Sequence, residues 1–493
     1  MKKRTAIILL LLLHPVMPLL SQNAEGFTMS DIVRLSQEHS ISAHVNRNSF
    51  SAAYWNYRSY QAGLRPSVTL DAGLGQFNRS LVALQDYDTG EIGYRANCNM
   101  ANDATLSVSQ NIGLTGGTLS LSSSLSRLDQ YGAARLGSWY VQPVYLSYLQ
   151  SLWGYNGFKW SRRTEPERYE KAKREYLENM ESVSMNAVRL FWNCIAAREN
   201  CNRAVESYEE SSSLYKVSLA RFETGNISLD NLLQLELRVL NDSLAMGSAQ
   251  VALRTAENMI CSFIGLNEDM HVELVDDYEI PVLELDSHDV LERALENSSF
   301  RLEQELDAIE ADRSVAQAKA AKGIQAALNA RLGLTSTSEC LSAAAASLQD
   351  QEVVGISVSI PIADWGMAAG RLRMARAQAE TVRLQQEQQM WDYRQNIVSM
   401  VMQFNEQQNR CAISKRAASV ALESYRKAFT QFSQGRISVI ELNQYRSVSD
   451  NAQAEYISQV AAFWNAYFEI RAATLYDYLS GTDISVEFDR LTE

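Results

Sequence analysis

The sequence predicts a mainly α-helical chain of two tandem repeats, each made of an opening helix, strands and a long helical hairpin. Three observations lead there. Residues 151–265 and 361–475 read as two copies of one element in a constant register of 210 positions. Phe222-x-x-Gly225-x-Ile227-Ser228 returns as Phe432-x-x-Gly435-x-Ile437-Ser438, Tyr215 returns as Tyr425, and Cys201 as Cys411. A repeat this long implies a duplicated architecture rather than one globular core. Proline and glycine are scarce, 7 and 23 among 493 residues, which favours long uninterrupted helices. Finally, segments alternating polar and apolar residues precede the helical part of each copy.

The chain opens with Lys2, Lys3 and Arg4, then an apolar run from Ala6 to Leu13 that ends near Leu20-Ser21-Gln22. This is the layout of a secretory signal peptide, placed at residues 1–21. The run is too short for a stop-transfer helix, and no later stretch reaches the roughly 18 apolar residues a spanning helix needs. No cysteine follows the cleavage point, so a lipid anchor is not indicated. The mature chain is therefore read as exported: a soluble, surface or outer-membrane β-barrel protein. Hydropathy does not flag barrel strands, because they alternate.

The first repeat is assigned to residues 22–266. A helix starts at Ser30 as N-cap and runs to about Gly63, where Pro66 stops it. Strand-like segments follow at Ser67–Leu74, Thr105–Ile112, Thr118–Leu125 and Val141–Leu152, with a turn signal at Thr115-Gly116-Gly117. Residues 267–286 read as an acidic linker with a short strand at His271–Leu274. The second repeat, 287–480, opens with Asp289–Ser298, the partner of Asp31–Ser40 at a shift of 258. The excess of 258 over 210 gives the first half about 48 additional residues, assigned to an extra hairpin at about 105–127. Two strands are expected in the second half, Ile324–Thr335 and Val353–Ile362, and residues 481–493 form a tail. Serine and threonine alternating with leucine and valine suit a barrel strand facing lipid and lumen. They suit a soluble antiparallel sheet equally well.

Helices of roughly 90 Å are expected from about Thr164 to Phe222 and from Arg371 to Phe432, at about 1.5 Å per residue. Val401, Phe404, Gln408, Cys411, Lys415 and Ala418 step by three and four, as do Phe191, Cys194, Arg198, Cys201, Val205 and Tyr208. That is heptad spacing, with a long polar residue, Arg198 or Gln408, at the same step of both copies. Each helix ends at a glycine turn. Ser228 or Ser438 then caps the returning helix, with Asp230 or Glu441 in its first turn.

Function classes fall away by elimination. A formal charge of −13 argues against nucleic acid, which needs a basic face. The 6 cysteines show no C-x-x-C spacing; Cys194, Cys201 and Cys411 read as core residues. Cys98 and Cys340 are read as lying in polar loops, with pairing between them left open. The 5 histidines are dispersed without metal-ligand spacing. Gly73-x-Gly75 lacks the rest of a nucleotide loop. No catalytic constellation, metal site or cofactor is expected.

As an ordered set, several motifs resemble the TolC-like family of outer-membrane efflux proteins. They are the Asp31–Ser40 and Asp289–Ser298 openings, the strand entry Arg65-Pro66-Ser67, Ile360-Pro361-Ile362-x-Asp364-Trp365-Gly366 and the two Phe-x-x-Gly tips. Gln150-Ser151-Leu152-Trp153-Gly154 looks like the first-half version of the Pro361 motif. The resemblance implies a mainly α fold with a transmembrane β-barrel, formed by a homotrimer and continued by a periplasmic α-helical tunnel. It implies a passive exit duct served by a periplasmic adaptor and an inner-membrane transporter. It places a periplasmic gate at Asp230, Asn231, Arg436, Glu441, Asn443 and Gln444. It places adaptor docking at Phe222, Gly225, Ile227, Ser228, Phe432, Gly435, Ile437 and Ser438. Three departures stand out: the second-half strand entry Lys322-Gly323-Ile324 lacks the proline found at Pro66, Ser151 occupies the slot of Pro361, and the hairpin at 105–127 exceeds the usual two strands per half. The competing reading is a periplasmic coiled-coil scaffold or adaptor subunit with a soluble sheet. The exported cargo leaves no trace in the sequence.

Overall fold

A computed structural model of the chain describes residues 26–85, 90, 92–131, 135–225, 227–266, 273–275, 279–434 and 436–491. The expected signal peptide, part of the linker and Gly435 lie outside the described residues. Within them the first half runs α1 (Met29–His39), α2 (Ile41–Gly63), β1 (Ser67–Gln85), β2 (Ile92–Ile112), β3 (Gly117–Tyr131), β4 (Arg135–Trp153), α3 (Gly157–Glu223) and α4 (Leu229–Phe263). The second half runs α5 (Ser287–Asn297), α6 (Phe300–Lys322), β5 (Gln325–Ser338), the short α7 (Leu341–Ala346), β6 (Gln349–Ser359), α8 (Met367–Ser433) and α9 (Val439–Thr474). A small ribbon, β7 (Tyr476–Asp477) and β8 (Thr482–Asp483), follows.

The described residues fall into two compact units. One holds the residues up to Ala43 together with Ser182–Leu283 and Phe404–Phe468; the other holds His44–Glu181, Glu284–Gln403 and the C-terminal residues from Glu469.

The first helix is capped by Thr28, not by Ser30. Thr28 Oγ1 accepts from the Asp31 N–H at 3.3 Å, while Asp31 returns a carboxylate to the Thr28 N–H at 3.2 Å. This reciprocal box satisfies two otherwise orphan donors, and an aspartate at the third helical position was the signal for it. Ser40 then breaks the helix in an extended conformation, as Ser298 does between α5 and α6. The two breaks share the 258 shift.

The second unit contains one antiparallel meander in the order β1-β2-β3-β4-β5-β6, with β1 and β6 at its edges. The extra hairpin of the first half is β2–β3, lying between β1 and β4. Its turn sits where α2 ends and β4 leads to α3. Gln110 donates to the Leu64 carbonyl at 2.8 Å, and Gln150 donates to the Thr115 carbonyl at 2.7 Å. Gly116 there has φ +80°, and a Cβ would fall 2.7 Å from the Asn156 side chain. Cys98, read from sequence as a loop residue, lies in β2; both Cys98 and Cys340 are free thiols.

Partners across a ladder share a face, so the register sorts every strand residue. Val68, Leu70 and Ala72 of β1 stand opposite Val108, Leu106 and Ala104 of β2, which stand opposite Leu121, Ser123 and Leu125 of β3. The face continues through Leu146 and Val141 of β4, Leu332 and Ala330 of β5, and Val354 of β6. At its far end Arg127 lies over the Trp139 ring at 5.2 Å and Arg135 over Tyr131 at 5.0 Å.

The other face is hydroxylic. Ser67, Ser109, Ser120 and Ser147 form one row; Asp71, Thr105, Ser124 and Gln142 form another. Thr69 and Ser107 share a hydrogen bond of 2.7 Å, and Gln142 donates to Gln351 at 2.8 Å. Gly75, with φ +67°, makes the bulge that keeps the faces in phase between Gly73 and Gln76.

The first unit is a helical assembly. Phe191, Ile195, Phe404, Phe463 and Tyr467 are at most 2 % exposed. The paired polar heptad positions clamp the connection between repeats. Arg198 donates to the Leu274 carbonyl at 2.6 Å, and Gln408 bonds both backbone groups of Leu283. Leu274 also bridges Phe27 in parallel.

Candidate functional site

The two hairpin tips follow from local chemistry. At the first, Gly225 takes φ +76° and its N–H donates to the Phe222 carbonyl at 2.9 Å, a left-handed step that glycine makes without a Cβ penalty. Ser228 accepts from the Asn231 N–H at 3.4 Å. Asp230 accepts from Gln234 one turn on, at 3.3 Å. Phe222 is partly exposed and Ile227 half-buried.

The second tip has a fuller cap. The Glu441 N–H donates to Ser438 Oγ at 3.3 Å, and the Glu441 carboxylate accepts from the Ser438 N–H at 2.8 Å and its hydroxyl at 3.0 Å. The Ser438 backbone N–H, then its hydroxyl, hold the Glu441 carboxyl below the ordinary glutamate range. Phe432 and Ile437 are half-buried, and Arg436 is exposed.

The structure separates the remaining tip candidates onto different faces of α9. Glu441 and Gln444 border an open groove of about 1050 Å³ between α8 and α9. Asn443 points instead to α4, where its side-chain oxygen accepts from Arg238.

A polar seam that the sequence reading missed joins the two hairpins. Glu210 of α3 accepts from the Tyr425 hydroxyl at 2.7 Å and from Arg446. Arg446 faces Asp450 at 3.6 Å and lies over the Tyr425 ring at 5.6 Å. Its side chain is only 10 % exposed. Burial outweighs the attraction of Arg446 and lifts the Asp450 carboxyl above its ordinary range. Burial, reinforced by the bond to Glu210, raises the Tyr425 phenol as well. One signal was available: these residues break the repeat. Glu210, Arg238, Asn443 and Asp450 have Val420, Val448, Leu233 and Leu240 as their counterparts at the 210 shift.

Among the described residues no cluster of metal-ligating side chains occurs, and no helix is long and apolar enough to cross a membrane.

Solved structures of similar fold align along nearly the whole chain. The Campylobacter jejuni CmeC outer membrane channel is 14 % identical, with a TM-score of 0.67 over 94 % of this chain and 88 % of that one. The outer membrane protein VceC of Vibrio cholerae is 13 % identical, with a TM-score of 0.62 over 93 % and 97 %. The open-state Neisseria gonorrhoeae MtrE outer membrane channel is 14 % identical, with a TM-score of 0.61 over 93 % and 91 %. No family model and no curated protein matches the sequence. The fold is that of the TolC-like outer-membrane channels, as the motifs implied.

Proposed function

We propose that this chain, carrying the fold of TolC-like outer-membrane channels, is the exit duct of a tripartite efflux or type I secretion system. It acts as a homotrimer in the outer membrane, with its helices forming a periplasmic tunnel. A periplasmic adaptor docks at the tips and an inner-membrane transporter supplies the cargo.

The observation that carries this reading is the two-faced sheet. A mainly apolar face carried by all six strands, interrupted at Ser123, Ser336 and Glu352 and bordered by an aromatic and arginine rim, suits lipid; the serine-rich face suits a water-filled lumen. The edges β1 and β6 do not pair with each other. Unpaired backbone groups are not tolerated in hydrocarbon, so β1 of one copy pairs with β6 of the next. Because β2 and β3 carry the same apolar face, the extra hairpin belongs to the wall. Three copies then supply about 18 strands, within the range of membrane barrels. The scaffold alternative has no use for an exposed apolar face of this extent.

The gate is assigned to the helical end, where the seam of Glu210, Tyr425 and Arg446 lies with Arg238 and Asn443. Of the residues expected from the resemblance, Asn443 joins this seam. Glu441 serves first as a cap, and its carboxylate can contribute to cation preference only from that position. The test is membrane fractionation followed by planar-bilayer recording of the purified protein. A heat-resistant oligomer from outer membranes that conducts ions is expected. A detergent-free soluble monomer would remove the channel reading.

A further inference from the structure

We propose that the rim of the sheet farthest from the helices is a site for a lipid with an anionic phosphate headgroup. The phosphate sits between Arg79 and Arg135 and the acyl chains lie on the apolar face below. The site rests on the membrane-barrel reading above and adds a ligand class to it.

The register places the rim. The helices join the strands at one end of the sheet, where α2 leads into β1, β4 into α3, α6 into β5 and β6 into α8. In the proposed channel the opposite end lies in the outer leaflet. There Arg79 pairs with Cys98, and Tyr131 with Arg135. Cys98 and Tyr131 each lie one step beyond the Asn99–Gln130 pair, so the four residues form one row across β1–β4 on the apolar face. In the next row down Phe77 approaches Tyr131, with ring centroids 6.5 Å apart. Arg127 and Tyr131 lie eight and twelve residues along β3 from Leu119, its first leucine. At about 3.4 Å per residue and a tilt of roughly 40° they stand about 21 and 31 Å above it, on either side of the top of an apolar band about 25 Å tall. The Arg79 row therefore falls at headgroup level.

Charge follows height. Arg127, at the edge of the band, is matched by Asp129 at 2.9 Å. Arg79 and Arg135 are exposed and form no ion pair among the described residues. Arg135 lies over the Tyr131 ring at 5.0 Å, which leaves its in-plane N–H donors for an acceptor. Three strand spacings put the two arginine backbones about 14 Å apart. Two uncompensated guanidinium forks flanking one ring suit phosphate oxygens. A soluble anion would gain nothing from Phe77, 61 % exposed just beneath, or from Leu70, 70 % exposed further down the same face. A lipid uses both ends of the site.

The experiment is native mass spectrometry of the full-length oligomer, purified from outer membranes in neutral detergent. Phosphatidylglycerol and phosphatidylcholine of identical acyl chains are offered in equal amounts. The wild type should retain phosphatidylglycerol in preference, and Arg79→Gln with Arg135→Gln should lower that preference about fivefold for each arginine removed. Arg331→Gln, on the hydroxylic face opposite Ser147, should leave it unchanged. Should the double variant fail to assemble, Asp129→Asn, which frees Arg127, should raise the preference instead. Equal retention of both lipids by the wild type, or an equal loss in Arg331→Gln, overturns the site while leaving the channel standing; arginines that only reach for water hold both lipids alike. Full displacement of phosphatidylglycerol by inorganic phosphate at matched concentration overturns the lipid as occupant. A chain that is absent from outer membranes and retains neither lipid overturns the channel reading, and this site with it.

Discussion

Replacing Arg446 with alanine tests the gate most directly, because this guanidinium joins three elements. It bonds Glu210 on α3, lies over Tyr425 on α8 and faces Asp450 one turn along α9. Removing one partner of a fully buried ion pair costs about 3–5 kcal/mol. Here the carboxylates are 37 % and 38 % exposed, so water recovers part of the loss. A cost of about 1–3 kcal/mol per chain remains. With tenfold for each 1.4 kcal/mol, the middle of that range shifts each seam roughly 30-fold toward separation. Arg446→Ala should therefore convert rare openings in a planar bilayer into frequent ones. The double variant with Glu210→Ala should be less perturbed than the sum of the two single variants. Unchanged opening frequency together with strict additivity would refute the seam as a gate.

The same substitution carries a pH signature. Burial raises the Asp450 carboxyl while Arg446 opposes it. An acid raised on folding binds more protons folded than unfolded, so stability falls as pH rises from the ordinary aspartate value of 3.8 through the raised one. Without Arg446 the opposing attraction is lost, and the window in which stability declines must extend to higher pH. Thermal unfolding across the acid range reads this directly.

Other outcomes follow from the cap, the two faces and the turn. The Glu441 carboxyl is held below its ordinary value of 4.5, so its contribution is present above that value and lost as pH falls through the lowered one. Amide protection in the first turn of α9 should drop on acidification, and Glu441→Gln should abolish the dependence. Leu121→Arg, on the apolar face, should cost about 2–4 kcal/mol and reduce folded protein in membranes, whereas Thr69→Arg, exposed on the hydroxylic face, should fold and alter ion selectivity. A water-soluble maleimide should label Thr69→Cys and spare Leu121→Cys; equal labelling would contradict the face assignment. Gly225→Val forces a β-branched residue to φ +76°, which costs on the order of 1–3 kcal/mol and should raise exchange at the first tip.

What the sequence made legible was whatever repeats with a period. The first-half stretches fall within β1–β4 and the second-half ones overrun β5 at Ile324 and β6 at Ile360–Ile362, but the first strands run further than expected, β1 to Gln85 rather than Leu74 and β2 from Ile92 rather than Thr105. Beyond Ala72 and Ala104 the same face carries Arg79, Asn102 and Arg127 among Phe77, Leu81 and Met100, so hydrophobic alternation becomes irregular while the ladder of backbone bonds continues. Alternation reports the surroundings of a strand rather than its length. The tips were found through glycine and serine, whose roles are local. The ionic seam was missed for the opposite reason: Glu210 and Arg446 are 236 residues apart, and neither lies in a motif.

That seam is where the duplication is most informative, because there it fails. A wall built from two equal halves needs matching cores, and Phe191 with Val401, or Cys201 with Cys411, are buried alike in both. In the proposed oligomer each chain also has two seams, one inside it and one to its neighbour. Had both stayed alike, nothing would distinguish the contact that must part from the contact that must hold. Substituting Glu210, Arg238, Asn443 and Asp450 for residues that are Val420, Val448, Leu233 and Leu240 in the other copy separates the two tasks. Ionic pairs at a partly hydrated seam contribute little net stability and respond to salt and pH. Apolar burial scales with area, does not titrate and is not screened by salt. High salt should accordingly loosen the seam within each chain and leave the oligomer associated, a combination that opening frequency and native mass, measured on one sample, resolve together.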